Sequence, residues 1–275
     1  MTPASVGFQC PECLREGRKS VRQARTIAGA PVTADSPVTR MILGINVVVF
    51  LLIFLKVGGE DQVVRGRFLY KVSALVGRFA MHPNSIAVRH QYYRLFTAAF
   101  LHEAIWHIGF NMYALLLLGD QVERVLGRWR YVALYVAAAL GGSTASYFFS
   151  RPNDSSIGAS GAIFGLFGAL FVIQRRLGGD TSQIMVILLL NLFLGFAIPG
   201  IDWRAHLGGL VTGAVITAGY VYLGKGSPRR AILHVGVVVV VLALTVMAVA
   251  IRTRQVRERT PGLSSIGTTA ARLSR

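Results

Sequence analysis

Five stretches of this chain, residues 131–150, 155–174, 181–201, 205–224 and 231–251, each run for 20 or 21 residues without Asp, Glu, Lys or Arg. A bilayer core about 30 Å thick is crossed by roughly 20 helical residues, so each stretch is long enough to span one. Two shorter segments precede them. Residues 41–55 lie between Arg40 and Lys56, whose long stems can snorkel to the interface. Residues 104–119 end at Asp120 and carry His107 and Asn111. Together these segments predict an all-α polytopic membrane protein with seven transmembrane helices. Composition agrees: 53% of the chain is hydrophobic and only 15% charged, where soluble domains carry roughly 25% charged residues.

The net charge of +17 would suggest nucleic acid in a soluble protein. Here the basic residues sit at helix ends and in the tails, where they orient the chain and meet anionic headgroups, so the expected partner is the lipid bilayer and not nucleic acid. Residues 1–37 are polar and basic, unlike a cleaved signal peptide. Lys and Arg concentrate in 1–40, 124–130, 175–180 and 225–230, which favours a cytoplasmic N-terminus. The basic 252–275 tail then falls outside, against the same rule.

No internal repeat is visible. The expected organisation is a polar head over 1–37, a six-helix core over 38–225, a seventh helix over 226–251 and a basic tail over 252–275. Cys10-Pro-Glu-Cys13 in the head holds the only two cysteines. A Cys-x-x-Cys knuckle is half of a tetrahedral zinc site, and no second pair exists. A half-site, a redox pair and an incidental spacing all remain open, and no cofactor is expected. In the 56–105 connection, Phe68, Leu69, Val72, Leu75, Val76 and Phe79 recur at spacings of three and four, predicting an amphipathic helix at the interface.

Polar groups inside hydrocarbon are unfavourable unless partnered, so each one is a functional candidate. The set is Asn46, His102, His107, Asn111, Ser160, Asn191, His206 and His234. By helix direction, His107, Asn111, Ser160 and His206 share one depth, opening outward. His107 and Asn111 are i and i+4 and project from one face. Ser160 lies between Gly158 and Gly161, at the head of a small-residue stripe continued by Gly165 and Gly168; Ala205, Gly209 and Gly213 form a second stripe around His206. Such stripes let membrane helices approach until their backbones nearly touch. If they face each other, Ser160 is carried toward the His206 imidazole. A serine hydroxyl needs a base to become a nucleophile, and a near-neutral imidazole suits that task. No carboxylate is placed to complete a triad, because Asp202 at the helix mouth is a cap. The Ser160 N–H, His107 and Asn111 would supply oxyanion donors. Phe164, one turn below Ser160, could stack on the His206 ring.

These residues resemble the rhomboid intramembrane serine proteases. The matching pieces are Tyr93-Arg94, the "HEAIWHIGFN" element over 102–111, "GASG" over 158–161 and "AHLGGLVTG" over 205–213. The resemblance covers about residues 38–225. It implies Ser160 as nucleophile, His206 as general base, and His107, Asn111 and the Ser160 backbone N–H as the oxyanion hole. Gly158, Gly161, Phe164, Gly209 and His102 take supporting roles, and Glu123 matches a structural acid. The seventh helix suggests a six-plus-one arrangement. The sequence departs from the family's pattern at Tyr93, where Trp is common, and at Phe164, where many bacterial members have Tyr.

The expected function is therefore an endopeptidase that cleaves transmembrane segments of other membrane proteins, in a bacterial plasma membrane, with its site open to the extracytoplasmic side. Two rivals stand beside it. One is an inactive rhomboid-like protein that binds membrane segments. The other is a small transporter, which would usually show inverted repeats or broken helices.

Overall fold

A computed structural model of the chain describes residues 2–4, 7–20, 24–56, 74–198 and 200–259. Thr2–Ala4 (β1) and Gly7–Gln9 (β2) pair antiparallel and lead into α1, Pro11–Ser20. Everything after them is helical or connecting: α2 (Pro37–Lys56), α3 (Ala74–Phe79), α4 (Pro83–Arg89), α5 (Arg94–Thr97), α6 (Ile105–Leu126), α7 (Arg128–Phe149), α8 (Ser160–Leu177), α9 (Ser182–Ala197), α10 (Trp203–Tyr222) and α11 (Arg230–Arg259). The chain folds as an all-helical membrane bundle. Helices α2 and α6–α11 fall on the seven apolar segments. By length and composition alone, Pro37–Leu55, Arg128–Phe149, Ser160–Leu177 and Arg230–Arg259 qualify as membrane spans. α9 is apolar but only 16 residues long, and α6 and α10 carry the polar residues of the site.

Several boundaries differ from the sequence expectation, each for a local reason. α8 begins at Ser160, five residues late, because the preceding backbone is committed elsewhere. Met81 and Ser156 exchange backbone hydrogen bonds of 3.0 and 3.1 Å, and Gly158 N–H donates to Ala98 O. α6 continues past Asp120, which forms an ion pair with Arg124 at 2.6 Å and accepts from Ser36. α11 extends to Arg259 because its last turns grip other helices: Thr253 bonds the Tyr147 hydroxyl, and Arg257 donates to Ala87 O at 2.6 Å. Residues 252–259 thus lie at the Ser160 end of the bundle.

The 56–105 connection is not a single amphipathic helix where it is described. Phe68, Leu69 and Val72 lie outside the described residues. Beyond them, α3, α4 and α5 are short helices separated by a bridge at Met81 and by His90 in the left-handed region (φ 59°). Buried Arg94 ties them together, donating to Gly77 O, Ala80 O and the Gln91 side chain at 2.7–2.8 Å.

At the opposite end of the bundle, Glu123 is fully enclosed. Its carboxylate accepts from Val38 N–H at 3.1 Å and from Thr39 N–H and Oγ1 at 2.8 Å. The first N–H groups of a helix lack partners within it, so α6 supplies the cap that α2 lacks. Residues 24–31 also pack here. Ala28 is in the core, Thr26 donates to Val125 O, and Arg230 of α11 reaches Ile27 O. His234 is explained in the same region, since buried Arg130 of α7 donates to its Nδ1 at 2.9 Å. Asn46 and Asn191 each donate to the carbonyl four residues earlier.

Glu123→Ala should destabilise the bundle by about 4.5 kcal/mol or more, at about 1.5 or more for each charge-assisted bond lost. Thermal unfolding in detergent micelles would show it as a drop in midpoint. An unchanged midpoint would mean that water caps α2 as well as Glu123 does.

Candidate active site

The two small-residue stripes face each other. A Cβ placed on Gly209 would sit 1.8 Å from Gly161 O, and one on Gly213 would sit 2.1 Å from Gly165 O. From the other side, a Cβ on Gly168 would meet Leu210 O at 2.4 Å. α8 and α10 are therefore in backbone contact, with no room for a methyl group between them. α7 closes the same junction, since a Cβ on Gly142 would lie 2.8 Å from Ala205 O.

This contact fixes the surroundings of Ser160. Ser160 is the first residue of α8, and the first internal bond of the helix runs from Ile163 N–H to Ala159 O. Its own N–H therefore has no partner within the helix and lies at the positive end of the helix dipole. Half-buried Ser160 borders a cavity of about 10 Å³ lined by Ala98, Ser143, Ser156, Gly158 and Ala205, among others, enough for about one water. Gly158 has φ +117°, a conformation that favours glycine. Its bare Cα also makes space: a Cβ there would lie 2.7 Å from His107 Nε2 and 3.8 Å from Ser160 Oγ. The His107 ring and the Ser160 hydroxyl thus border one small space.

His206 is buried in the first turn of α10. Asp202 caps that helix, accepting from Arg204 and Ala205 N–H and from Ser146 Oγ. The His206 ring stacks on Phe164, with centroids 4.0 Å apart and planes 7° from parallel. Phe164 is one turn below Ser160 on the same helix face. The stack therefore sets the imidazole on the Ser160 face of α8. Among the described residues Ser160 and His206 share no hydrogen bond, and His206 Nδ1 is buried without a partner.

His102 is buried behind His107, with ring centroids 5.0 Å apart, edge to face. Asn111 is buried and donates one amide N–H to His107 O at 3.0 Å, keeping the second free of that bond. The structure thus brings Ser160, Gly158 and His107 together on one side, and His206, Phe164, Gly161 and Gly209 on the other. Ser143 and Ala98 also border the site, and Ser146 secures the Asp202 cap. Sequence spacing gave no sign of them, because each arrives through a tertiary contact. Cys10 and Cys13 lie apart in the head, with Cys13 N–H donating to Cys10 Sγ at 3.1 Å. The hydrogen bond between the thiols lowers the Cys10 pKa and raises that of Cys13.

Comparison with known proteins places this arrangement. The Rhomboid domain model matches residues 89–223, from α4 through α10. The chain is 34% identical over 200 residues, 71% of its length, to Rhomboid protease GluP of Bacillus subtilis. The chain belongs to the rhomboid family. This rhomboid is also 34% identical over 151 residues to RHOMBOID-like protein 1 of Arabidopsis thaliana, covering 52% of the chain. It is 33% identical over 133 residues to Rhomboid-type serine protease 2 of Emericella nidulans, covering 46% of the chain. It spans 37%, 38% and 26% of the lengths of these three relatives.

The glycine contact can be tested by filling it. Gly209→Val in this rhomboid should cost about 3 kcal/mol or more, because overpacking a close contact forces the helices apart. Gly44→Ala, where a Cβ meets nothing within 4 Å, should instead add up to about 1 kcal/mol through helix propensity. Equal thermal midpoints for the two variants would show that α8 and α10 are not held by this seam.

Proposed function

We propose that this rhomboid is an intramembrane serine endopeptidase acting on transmembrane segments of other membrane proteins. The stack of His206 on Phe164, beneath a serine at an open helix N-terminus, is the observation that carries the proposal. Ser160 Oγ attacks the scissile carbonyl while His206 takes its proton, forming a tetrahedral intermediate. His206 then returns the proton to the leaving amine, and an acyl-enzyme remains. Water, deprotonated by the same imidazole, releases the acid product and restores Ser160. The closing of the Ser160–His206 hydrogen bond belongs to the substrate-bound state, since catalytic hydrogen bonds are often long before substrate arrives.

The negative oxygen of the intermediate would receive the Ser160 N–H, the His107 ring and the second Asn111 N–H. Gly158 supports this role by leaving the space in front of His107 open. His102 would hold His107 from behind. A peptide bond inside a helix is shielded by its own turn, so the substrate must present extended backbone to Ser160.

The proposed setting is a bacterial plasma membrane. The N-terminus would be cytoplasmic, and the Ser160 end would face the extracytoplasmic side. The catalytic core would be residues 38–225, joined to a seventh helix and a basic tail. A protein that only binds membrane segments would not need the Ser160–His206 arrangement.

In proteoliposomes with a model transmembrane substrate, Ser160→Ala should abolish cleavage, and Asn111→Ala should lower kcat about 100-fold, typical of one oxyanion donor. Phe164→Ala should lower kcat by roughly 10- to 100-fold through misplacement of His206. Undiminished cleavage by Ser160→Ala would remove the proposal.

A further inference from the structure

α11 does not lie flat along α10. Toward the Arg230 end the two helices touch, with a Cβ on Gly219 falling 2.8 Å from Val237 and the His234 ring 5.0 Å from Tyr220. Toward the Ser160 end α11 instead joins α7 and α4, through the Tyr147–Thr253 and Arg257–Ala87 bonds. The result is a V-shaped crevice of about 650 Å³ floored by α7. Its walls are apolar, with Leu207, Val211 and Val215 on α10 and Val241, Leu244 and Ala248 on α11. It lies on the side of α10 away from the Phe164–His206 stack.

We propose that this crevice binds one anionic phospholipid from the leaflet on the Ser160 side. Length is the first reason. From Arg204 to Val215, α10 rises about 16 Å at 1.5 Å per residue, close to one leaflet, or half of the roughly 30 Å core. A transmembrane helix crosses the whole core, whereas this crevice closes where Val237 meets Gly219. Charge is the second reason. Arg204 and Trp203 line the open mouth. Arg252 is one turn beyond Ala248 on α11 and donates to Ser150 O at the end of α7 at 3.0 Å. Neither arginine is paired with a carboxylate among the described residues. Asp202, the nearest acid in sequence to Arg204, is engaged in capping α10 and with Ser146. An anionic headgroup at this mouth would be attracted by both guanidiniums and would take the Arg252 N–H groups not committed to Tyr147 O and Ser150 O. The third reason is an open polar group in the wall: of the three threonines that line the crevice, Thr144 is buried and its hydroxyl has no partner among the described residues. Below a headgroup at the mouth, it would donate to an ester carbonyl of the lipid.

The test uses the full chain in nanodiscs of mixed phosphatidylcholine and phosphatidylglycerol, released for native mass spectrometry. The expected result is one phosphatidylglycerol that survives activation sufficient to strip bulk lipid. Arg204→Gln combined with Arg252→Gln should lower the retained ratio of phosphatidylglycerol to phosphatidylcholine at least tenfold. Ala248→Phe, which fills the crevice without touching the mouth, should lose the retained lipid of either headgroup. A photo-crosslinking residue at Val211 should label lipid. Equal retention of both lipids by the unaltered chain overturns the proposal, whatever the variants do. Crosslinking of Val211 to a protein helix or a second copy overturns it as well. Neither readout depends on proteolysis.

Discussion

The contact between the backbones of α8 and α10 is what the rest of the molecule is arranged around. In lipid, apolar side chains gain little by leaving the solvent, so helices associate mainly through close packing and polar contacts. Removing every Cβ from Gly161, Gly165, Gly209 and Gly213 brings two helices together more tightly than leucines or valines allow. That approach lets a residue at the start of α10 stack on one a single turn inside α8. Helix α7 completes the seam through Gly142 and contributes Ser146, which secures the Asp202 cap at the start of α10. The imidazole is thus held by a chain of short-range packing, each link positioned by the one before it.

Polar groups in the bundle divide into those that close on the scaffold and those left open. Glu123, Arg94, Arg130 and His234 have their partners, and their work is structural. His102 and His206 keep buried ring nitrogens without partners. The hydroxyls of Tyr131, Tyr135, Thr217 and Tyr220 are open in the same sense elsewhere in the bundle, so an open polar atom points to chemistry only where it stands beside a reacting group. Both histidines belong to the small region around Ser160.

Much of this was legible in the sequence because it is written locally. Run length marks the helices, and a spacing of four marks the faces that carry His107 with Asn111 and the glycine stripes. The facing of the stripes could be stated only as a condition, and the structure meets it. What stayed hidden depends on distant partners. α8 starts at Ser160 and not earlier because Met81 and Ala98 take up the backbone before it, and nothing within 155–160 announces that. His234 looked isolated because its partner, Arg130, is 104 residues away. The connection after α2 looked like one amphipathic helix because its period is helical. Pro83, the left-handed His90 and the demands of Arg94 break its described part into short pieces.

The hold of α11 on the bundle bears on how the protein is assembled. Arg230 bonds Ile27 across 203 residues of sequence, and Arg257 bonds Ala87 across 170. Both pairings span nearly the whole bundle and form only after α11 has been synthesised. During translation, the earlier helices therefore sit in the bilayer without these two ties. α11 acts as a clasp that adds them, so the described bundle reaches its finished architecture only once α11 is in place.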